Sequence, residues 1–356
     1  MQFNEEKAPN KTGVVRDTRY LDHIPGPGHI ESPSRLEAIY RRLDQPDAVS
    51  LYTVIPPRPA TREELAWNHA PDYVERIART AGKEFVFLDP DTGTSPGSWT
   101  AACLAVGGVF ALMDAIMREE IPNGLALVRP PGHHAERDHA MGFCIFNNVA
   151  LGAHYARRVL GLARVLIVDW DLHHGNGTQN SFYRDPSVLY ISTHQYPHYP
   201  GSGRIEESGE DEGKGFTINI PLSAGMGDAD YSAVFSQIVV PVARAFAPEF
   251  ILVSAGFDIY AGDPLGGMQV TEKGFAVLAR SLLDAARECC RGRIVFCLEG
   301  GYSLKGLADG VYAVLGECSG KRRNGSEISF PPPTAAVTRI IDRVREAHQD
   351  LWPVLR

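Results

Sequence analysis

Short apolar runs of strand length alternate along this chain with longer segments of helical periodicity. Runs of four or five residues rich in Val, Ile, Leu and Phe predict buried strands, and apolar positions three and four residues apart predict helices. The predicted strands are Leu125–Val128, Val165–Val168, Val188–Ser192, Phe216–Ile220, Phe250–Ser254 and Ile294–Leu298, and the predicted helices are Ser98–Arg118, Val149–Val159, Asp230–Phe246, Thr271–Glu288 and Leu307–Leu315. This alternation predicts an α/β fold whose mainly parallel sheet has helices on both faces.

The length and composition allow one large α/β domain or two smaller ones, and no repeat, low-complexity tract or linker divides the chain. The chain has 356 residues, of which 44% are hydrophobic, and its net charge is −8. That charge argues against nucleic acid and membranes as partners, and the largest basic cluster is the short run Lys321-Arg322-Arg323. We expect one domain over residues 1–356, in which the tail 318–356 adds a packed helix. The sequence leaves a homo-oligomer open.

Two features of the chain predict a cytoplasmic protein. The N-terminal segment Met1–Lys7 lacks the apolar core of a signal peptide, and we find no run of 18 apolar residues that could span a membrane. The six cysteines follow no paired framework, and the adjacent Cys289 and Cys290 would be strained if they were bridged to each other. A reducing, cytoplasmic environment fits this cysteine usage best.

Four of the predicted strands end in loops that carry ionisable or hydrogen-bonding side chains. These loops are Arg129–His134, Asp169–Gly177, Ala255–Asp258 and Glu299–Tyr302, and each directly follows its strand. In α/β proteins the carboxyl ends of parallel strands meet at one edge of the sheet, and ligands bind at that edge. The sequence therefore predicts an active site at the carboxyl ends of the strands.

Asp169, Asp171 and His173 alternate along the segment that follows the strand ending at Val168. Alternate residues of an extended segment share one face, and buried carboxylates are costly unless they are paired or bind a metal. An exposed polar loop is the alternative interpretation. Together with Asp258, Asp171 and His173 would form a three-ligand catalytic metal site with room for water and substrate. This oxygen-rich ligand set leaves Fe²⁺ and Mn²⁺ open beside Zn²⁺.

Hydrolysis at such a site needs groups that move protons and stabilise a developing negative charge. His133 and His134 are candidates for proton transfer, although a His-His pair seen alone is more often a surface or capping pair. Each imidazole needs a partner that sets its tautomer, and Asp169 and Asn176 are the candidates. Tyr302 follows two glycines and could donate a hydrogen bond to the oxyanion, a contribution of roughly 3–4 kcal/mol.

Five sequence blocks, taken together, resemble the histone deacetylase superfamily, which includes bacterial acetylpolyamine amidohydrolases and histone deacetylase-like amidohydrolases. The blocks are Arg129–Ala135, Gly142–Asn148, Asp169–Gly177, Ser254–Asp258 and Leu298–Tyr302, and the resemblance spans residues 14–317. It implies the arginase–deacetylase fold, with zinc held by Asp171, His173 and Asp258. It also implies the pair His133 and His134, with His134 as the general base, and Tyr302 polarising the acyl carbonyl. Asn176 and the run Gly262–Gly267 resemble class II members, since class I members usually carry an aspartate where Asn176 stands.

The same resemblance implies a substrate tunnel and two potassium sites. Phe143 and Tyr199 would form the aromatic walls, although the family usually has phenylalanine where Tyr199 stands, and Asp91 would hold the substrate backbone. The remaining implied substrate contacts are Gly142, Leu265 and Gly301. One potassium site would consist of Asp169, Asp171, His173, Ser192 and Thr193, and the other of Phe182, Asp185, Val188 and Phe216.

The leading functional hypothesis is a metal-dependent amidohydrolase that removes an acetyl or longer acyl group from an amine. Its substrate would be an acylated lysine side chain or a small acetylated amine. Leu265 stands where polyamine-selective relatives carry a glutamate, which favours acyl-lysine over acetylpolyamines. A catalytically silent acyl- or metal-binding module would be expected to lose Tyr302 or the histidine pair. An arginase-like ureohydrolase with two metals would need further Asp and His ligands.

Overall fold

The protein is seen here as a computed structural model that describes residues 11–321 and 328–356. The segment Met1–Lys7 and two residues of the basic run, Arg322 and Arg323, lie outside these ranges. The strands are β1 (Thr12–Val15), β2 (Tyr52–Val54), β3 (Val86–Phe87), β4 (Gly93–Thr94), β5 (Gly124–Ala126), β6 (Val165–Asp169), β7 (Val188–Gln195), β8 (Thr217–Leu222), β9 (Phe250–Ala255) and β10 (Ile294–Leu298). The α-helices are α1 (Ser34–Leu43), α2 (Pro46–Val49), α3 (Arg62–Leu65), α4 (Pro71–Ala78), α5 (Ser98–Met117), α6 (Asn148–Arg158), α7 (Asn176–Phe182), α8 (Asp228–Val234), α9 (Val240–Phe246), α10 (Glu272–Cys290), α11 (Leu304–Cys318) and α12 (Ala335–His348).

Eight of these strands form one parallel sheet in the order β2-β1-β5-β10-β9-β6-β7-β8. Every residue of β6, β9 and β10 is buried. Continuous burial is expected where helices cover both faces of a parallel sheet, and it explains why these strands are uninterrupted apolar runs. The predicted α/β architecture is therefore confirmed.

The far edge of the sheet was not predicted from the sequence, and some strands end at residues other than those predicted. β1 and β2 contain four and three residues, which is too short for a hydrophobic period to be recognised. They are held by parallel pairing to each other and, through β1, to β5. β5 itself covers Gly124–Ala126 instead of Leu125–Val128, and β7 continues to Gln195. Pairing with neighbouring strands, rather than local composition, determines these ends.

The segment predicted as a single helix over Asp230–Phe246 consists of α8, a π-helical turn at Phe235–Val239, and α9. Pro241 has no N–H to donate, and its ring would collide with a carbonyl one turn earlier in a regular α-helix. Val240 donates its N–H to a carbonyl five residues earlier. This wider turn just before the proline relieves the collision.

Helix α5 is long and apolar enough to cross a membrane by length and composition alone, so the expectation that no segment meets that criterion is wrong. Its apolar window is 78% buried inside the protein, as in the core helix of a folded domain. All six cysteines lie among the described residues, and all are free thiols.

Candidate active site

The four loops predicted to carry the chemistry follow four adjacent strands, in the order β5-β10-β9-β6. The strands also end at matching levels, because Asp169 is paired with Ser254 and Ala255 is paired with Leu298. The loops therefore lie side by side at the carboxyl edge of the sheet, where the strand pattern predicted them to meet.

Asp171, His173 and Asp258 form a compact cluster at this edge. One ligand atom from each residue lies within 4.8 Å of the other two. The Nδ1 atom of His173 is 3.1 Å from Asp171 Oδ1 and 3.2 Å from Asp258 Oδ2. Backbone groups orient both carboxylates, since Gly300 donates its N–H to Asp171 Oδ2 at 2.8 Å and Leu172 donates to Asp258 Oδ1 at 2.8 Å.

The residues of this cluster fit a divalent cation. Asp258 Oδ2 is buried and has no hydrogen-bond partner among the described residues, which is costly for a carboxylate. Burial raises the pKa of Asp258 to about 7, and the charge of Asp171 contributes to the rise. A Cβ at Gly300 would overlap Asp258 Oδ2, so the glycine leaves the space beside that oxygen open. A cation would offset the buried charges, and two carboxylates with one imidazole suit Zn²⁺, Fe²⁺ or Mn²⁺.

His133 and His134 lie beside this cluster, with their ring centroids 4.0 Å apart. His133 Nδ1 is 3.0 Å from Asp169 Oδ2, and His134 Nδ1 is 2.8 Å from Asn176 Oδ1. Because both partner atoms are acceptors, each imidazole carries a proton on Nδ1. Asp169 Oδ2 also accepts the Tyr190 hydroxyl at 2.9 Å, which further orients the carboxylate behind His133.

The two imidazoles have opposite protonation preferences. Burial lowers the pKa of His133, but the carboxylates of Asp171 and Asp169 outweigh burial and raise it to about 10. Burial lowers the pKa of His134 well below its ordinary value, and the charges of His133 and His173 lower it further. At neutral pH His134 is therefore an uncharged ring whose Nε2 can accept a proton.

The Glu299 carboxylate anchors the backbone of the loop Arg129–His134, which carries the histidine pair. Its Oε2 accepts the N–H groups of Gly132 at 2.6 Å and His133 at 3.2 Å, and its Oε1 accepts the Ser254 hydroxyl at 3.0 Å. His133, Cys144 and Glu299 are close enough together to hold an ion. Glu299 is already satisfied by three donors, so we interpret it as a structural clamp on the loop.

Tyr302 is positioned by charged groups on both sides. The guanidinium carbon of Arg35 lies 4.9 Å from the centroid of its ring, and Asp263 Oδ2 accepts its N–H at 2.7 Å. Arg35 is in turn fixed by Glu31, which also binds Arg129, and all three side chains are completely buried. Burial raises the pKa of Tyr302 well above its ordinary value. The hydroxyl therefore stays protonated and can donate a hydrogen bond.

A cavity of about 220 Å³ opens onto this cluster. It is lined by Asp91, Pro131, His133, His134, Gly142, Phe143, His173, His198, Tyr199, Leu265, Gly300 and Tyr302. The predicted substrate residue Gly301 is not in this lining; its carbonyl accepts the Nε–H of Arg35 at 2.7 Å. Phe143 adopts a left-handed backbone conformation, with a φ of 68°, and its N–H is held by the Thr92 hydroxyl at 3.0 Å.

His198 and Glu136 are among the polar residues at this site that were not predicted from the sequence. His198 stacks on His173, with ring centroids 5.2 Å apart and planes 18° apart, and its Nε2 donates to the Leu265 carbonyl at 3.0 Å. Glu136 accepts a hydrogen bond from Asn176 at 2.6 Å. Nothing in the local pattern around His198 or Glu136 marks them, because both act through contacts with distant segments.

Some residues of each implied potassium site contact one another. In the first set Asp169 and Ser192 are paired on adjacent strands, and the Thr193 hydroxyl donates to the Asp169 carbonyl at 3.4 Å. In the second set Asp185 donates its N–H to the Phe182 carbonyl at 3.0 Å. Binding of potassium at either place stays a prediction.

Comparison with known proteins identifies the family. Residues 29–318 match the family model described as the histone deacetylase domain, and the chain belongs to the histone deacetylase family. The solved structure of the HDA15 HD domain superposes with a TM-score of 0.90 at 38% identity, covering 98% of this chain and 97% of that one. The implied arginase–deacetylase fold is therefore confirmed.

The relatives with curated names are deacetylases, which confirms the prediction of a deacetylase hydrolase. Histone deacetylase 15 of Arabidopsis thaliana is 38% identical over 98% of this chain, and histone deacetylase 10, chloroplastic, of rice is 37% identical over 90%. Human polyamine deacetylase HDAC10 is 45% identical over 79% of this chain. The chain spans 64%, 77% and 43% of these three relatives, respectively.

Proposed function

We propose that this chain is a zinc-dependent amidohydrolase that removes acetyl or longer acyl groups from the amines of acylated lysine side chains. The observation that carries the proposal is one cavity lined by His173, the histidine pair and Tyr302, with Asp171 and Asp258 clustered behind it around His173. A silent binding module would have no use for both a histidine pair and a buried phenol. A two-metal ureohydrolase would need more carboxylate and imidazole ligands than this cluster contains.

Asp171, His173 and Asp258 would hold the metal, and Fe²⁺ and Mn²⁺ are the alternatives to Zn²⁺. When bound, the ion would polarise the acyl carbonyl and acidify a water molecule. The chain would provide the proton path: His134, oriented by Asn176, accepts the proton of the attacking water at Nε2 and returns it to the leaving nitrogen. His133 would remain oriented by Asp169. The Tyr302 hydroxyl would donate a hydrogen bond to the acyl oxygen as negative charge develops there.

The walls of the cavity favour a long alkyl chain that carries the amide. Phe143 and Tyr199 provide aromatic surface at the rim, and Leu265 adds an apolar side chain beside them. Asp91 lines the cavity, and its Oδ1 is held by the Gly142 N–H at 3.2 Å and the Thr92 hydroxyl at 2.9 Å, so Oδ2 would accept a hydrogen bond from a substrate backbone. An apolar wall at Leu265 offers no counter-charge to a second ammonium group, so we favour acyl-lysine over acetylated polyamines.

An acetylpolyamine amidohydrolase is the second candidate. The human relative named polyamine deacetylase supports it, and the net charge of −8 would concentrate polycations around the protein. That long-range attraction is screened within about 8–10 Å at ordinary salt. The residues that touch the substrate should therefore decide the preference.

Comparison of kcat/KM at physiological ionic strength, with the metal defined, tests the proposal. The panel contains an acetyl-lysine peptide, longer acyl-lysines, acetylputrescine and acetylspermidine. We expect the acetyl-lysine peptide to be preferred and the matched variant Leu265→Glu to shift the preference toward acetylspermidine about tenfold, or 1.4 kcal/mol of differential transition-state binding. A tenfold preference of the wild-type protein for acetylspermidine would make the polyamine activity the function. Loss of all activity in His134→Ala provides the control for a single site.

The proposal also covers the domain organisation, the potassium sites, the location in the cell and the oligomeric state. We propose that residues 1–356 act as one domain, on which α12 packs, and that potassium occupies the two cation sites with a structural role. A cytoplasmic location stays a prediction, because the rice relative is named chloroplastic. Homo-oligomerisation likewise stays open.

A further inference from the structure

The amide of Asn176 lies between the imidazole of His134 and the carboxylate of Glu136. Asn176 Oδ1 is 2.8 Å from His134 Nδ1, and Asn176 Nδ2 donates to Glu136 Oε1 at 2.6 Å. Asn180, one turn further along α7, donates its Nδ2 to the same oxygen at 2.8 Å. The other contacts of Asn176 Nδ2 are longer, at 3.3 Å to Met141 Sδ and 3.4 Å to the His134 carbonyl.

The side-chain amide of an asparagine at position 176 can face His134 in two orientations, and only one of them presents an acceptor. An aspartate would present an acceptor in both. Either oxygen of a carboxylate can accept from His134 Nδ1, whereas rotating an amide by half a turn replaces its oxygen with an NH₂ group. The Glu136 carboxylate resolves this ambiguity, because it only accepts hydrogen bonds. A rotated Asn176 would place its oxygen against the oxygen of Glu136.

We infer that Glu136 is a positioning residue of the reaction: it holds the Asn176 oxygen toward His134 and thereby keeps the Nε2 lone pair of His134 directed into the cavity. The inference rests on the proposed function, in which His134 transfers protons. Glu136 would carry no proton itself and would act only through Asn176.

The backbone of Glu136 is anchored independently of its side chain. Its carbonyl is 2.8 Å from Nδ1 of His69, and its N–H donates to the His139 carbonyl at 3.0 Å. The side chain borders a surface cavity of about 240 Å³, which is also lined by Arg137 and Asn180. A shorter side chain at position 136 would therefore leave a space that water can enter, and the variant should fold.

The variants Glu136→Ala and Glu136→Gln separate orientation from charge. Alanine removes the acceptor, and we expect kcat to fall about 10–100-fold while KM changes less than threefold. Glutamine keeps an oxygen that the amides of Asn176 and Asn180 can bind, but its NH₂ group can also face Asn176, so we expect kcat to fall less than in Glu136→Ala. Arg137→Ala, in the same cavity but without contact to Asn176, is the matched control and should retain full activity. A glutamine variant as impaired as the alanine variant, or a loss confined to KM, would overturn the inference.

A double-mutant cycle with Asn176→Ala tests whether Glu136 acts through Asn176. In that background Glu136→Ala should lower kcat by no more than about twofold, since the contact it supports has gone. An undiminished loss would show that Glu136 acts by another route.

Nitrogen-15 NMR of the His134 ring gives a readout that needs no turnover. We expect the Nδ1–H tautomer in the wild type and a mixture of tautomers in Glu136→Ala; identical spectra would contradict the inference. If the wild-type protein hydrolysed no amide, the proposed function would fail, whereas the tautomer result would still decide the role of Glu136.

Discussion

The imidazole of His198 stacks on that of His173, with ring centroids 5.2 Å apart. His198 also donates Nε2–H to the carbonyl of Leu265 at 3.0 Å. One side chain thus contacts a proposed metal ligand and ties together two segments of the cavity rim. Its position on the rim makes it a candidate for ordering the substrate entrance rather than for chemistry.

Two substitutions of His198 distinguish the effect of its stacking on His173 from that of its hydrogen bond to Leu265. His198→Phe keeps an aromatic ring on His173 but loses the bond to Leu265, and we expect KM to rise about 3–10-fold, in line with one hydrogen bond of 0.5–1.5 kcal/mol. His198→Ala loses both contacts and should raise KM further. Steady-state kinetics on an acetyl-lysine peptide measures both, with metal content as the control. A phenylalanine variant equal to the wild type would show that the hydrogen bond does not order the rim.

Removal of one proposed ligand should remove the metal. Asp258→Ala deletes one of three protein ligands, so we expect bound metal and activity to be lost together. Elemental analysis of the purified protein measures the metal. Asp91→Asn, which changes a carboxylate at the cavity rim, should keep the metal and serves as the control. Full metal retention in Asp258→Ala would refute the ligand assignment.

Tyr302→Phe removes one hydroxyl with little change in volume. If that hydroxyl stabilises the oxyanion, kcat should fall about 10²–10³-fold while KM stays nearly constant. Tyr199→Phe removes a hydroxyl from the rim of the same cavity and should leave kcat within about threefold. A loss that appeared only in KM for Tyr302→Phe would make Tyr302 a binding residue.

His348 on α12 should make the stability of the fold depend on pH. The ring is 1% exposed, and neither nitrogen has a hydrogen-bond partner among the described residues. Burial, with a contribution from the charge of Lys214, lowers the pKa of His348 to about 4, whereas an unfolded histidine titrates near pH 6.5. Between these values the unfolded chain binds more protons. The contribution is therefore fully present above about pH 6.5 and is lost as the pH falls toward 4.

His348→Phe removes this titration. The difference in the free energy of unfolding between pH 8 and pH 5 should shrink by about 2 kcal/mol relative to the wild type. Thermal unfolding at both pH values measures the change. Ile341→Val, at a buried position on the same helix that carries no titrating group, should keep the wild-type pH dependence. An unchanged dependence in His348→Phe would mean that its ring is not the titrating group.

The sequence alone was sufficient for the centre of the fold and for most of the proposed chemistry. β6, β9 and β10 are recognisable because strands covered on both faces must be continuously apolar. Asp171 and His173 are recognisable because they alternate on one short segment directly after a strand. These patterns are local. They can be read from the sequence because each depends only on residues a few positions apart.

The tertiary structure determined which strands form the edge of the sheet and which hydrogen-bond partners each polar group has. β1 and β2 are too short to carry a period and exist through pairing with other strands. The bond from Asn176 to Glu136 joins residues 40 positions apart, and that from His198 to Leu265 joins residues 67 apart. Such contacts follow from the order of strands in the sheet, which hydrophobic periodicity does not encode. The sequence by itself therefore determined which groups stand at the carboxyl edge, and only the folded chain determined which of them meet.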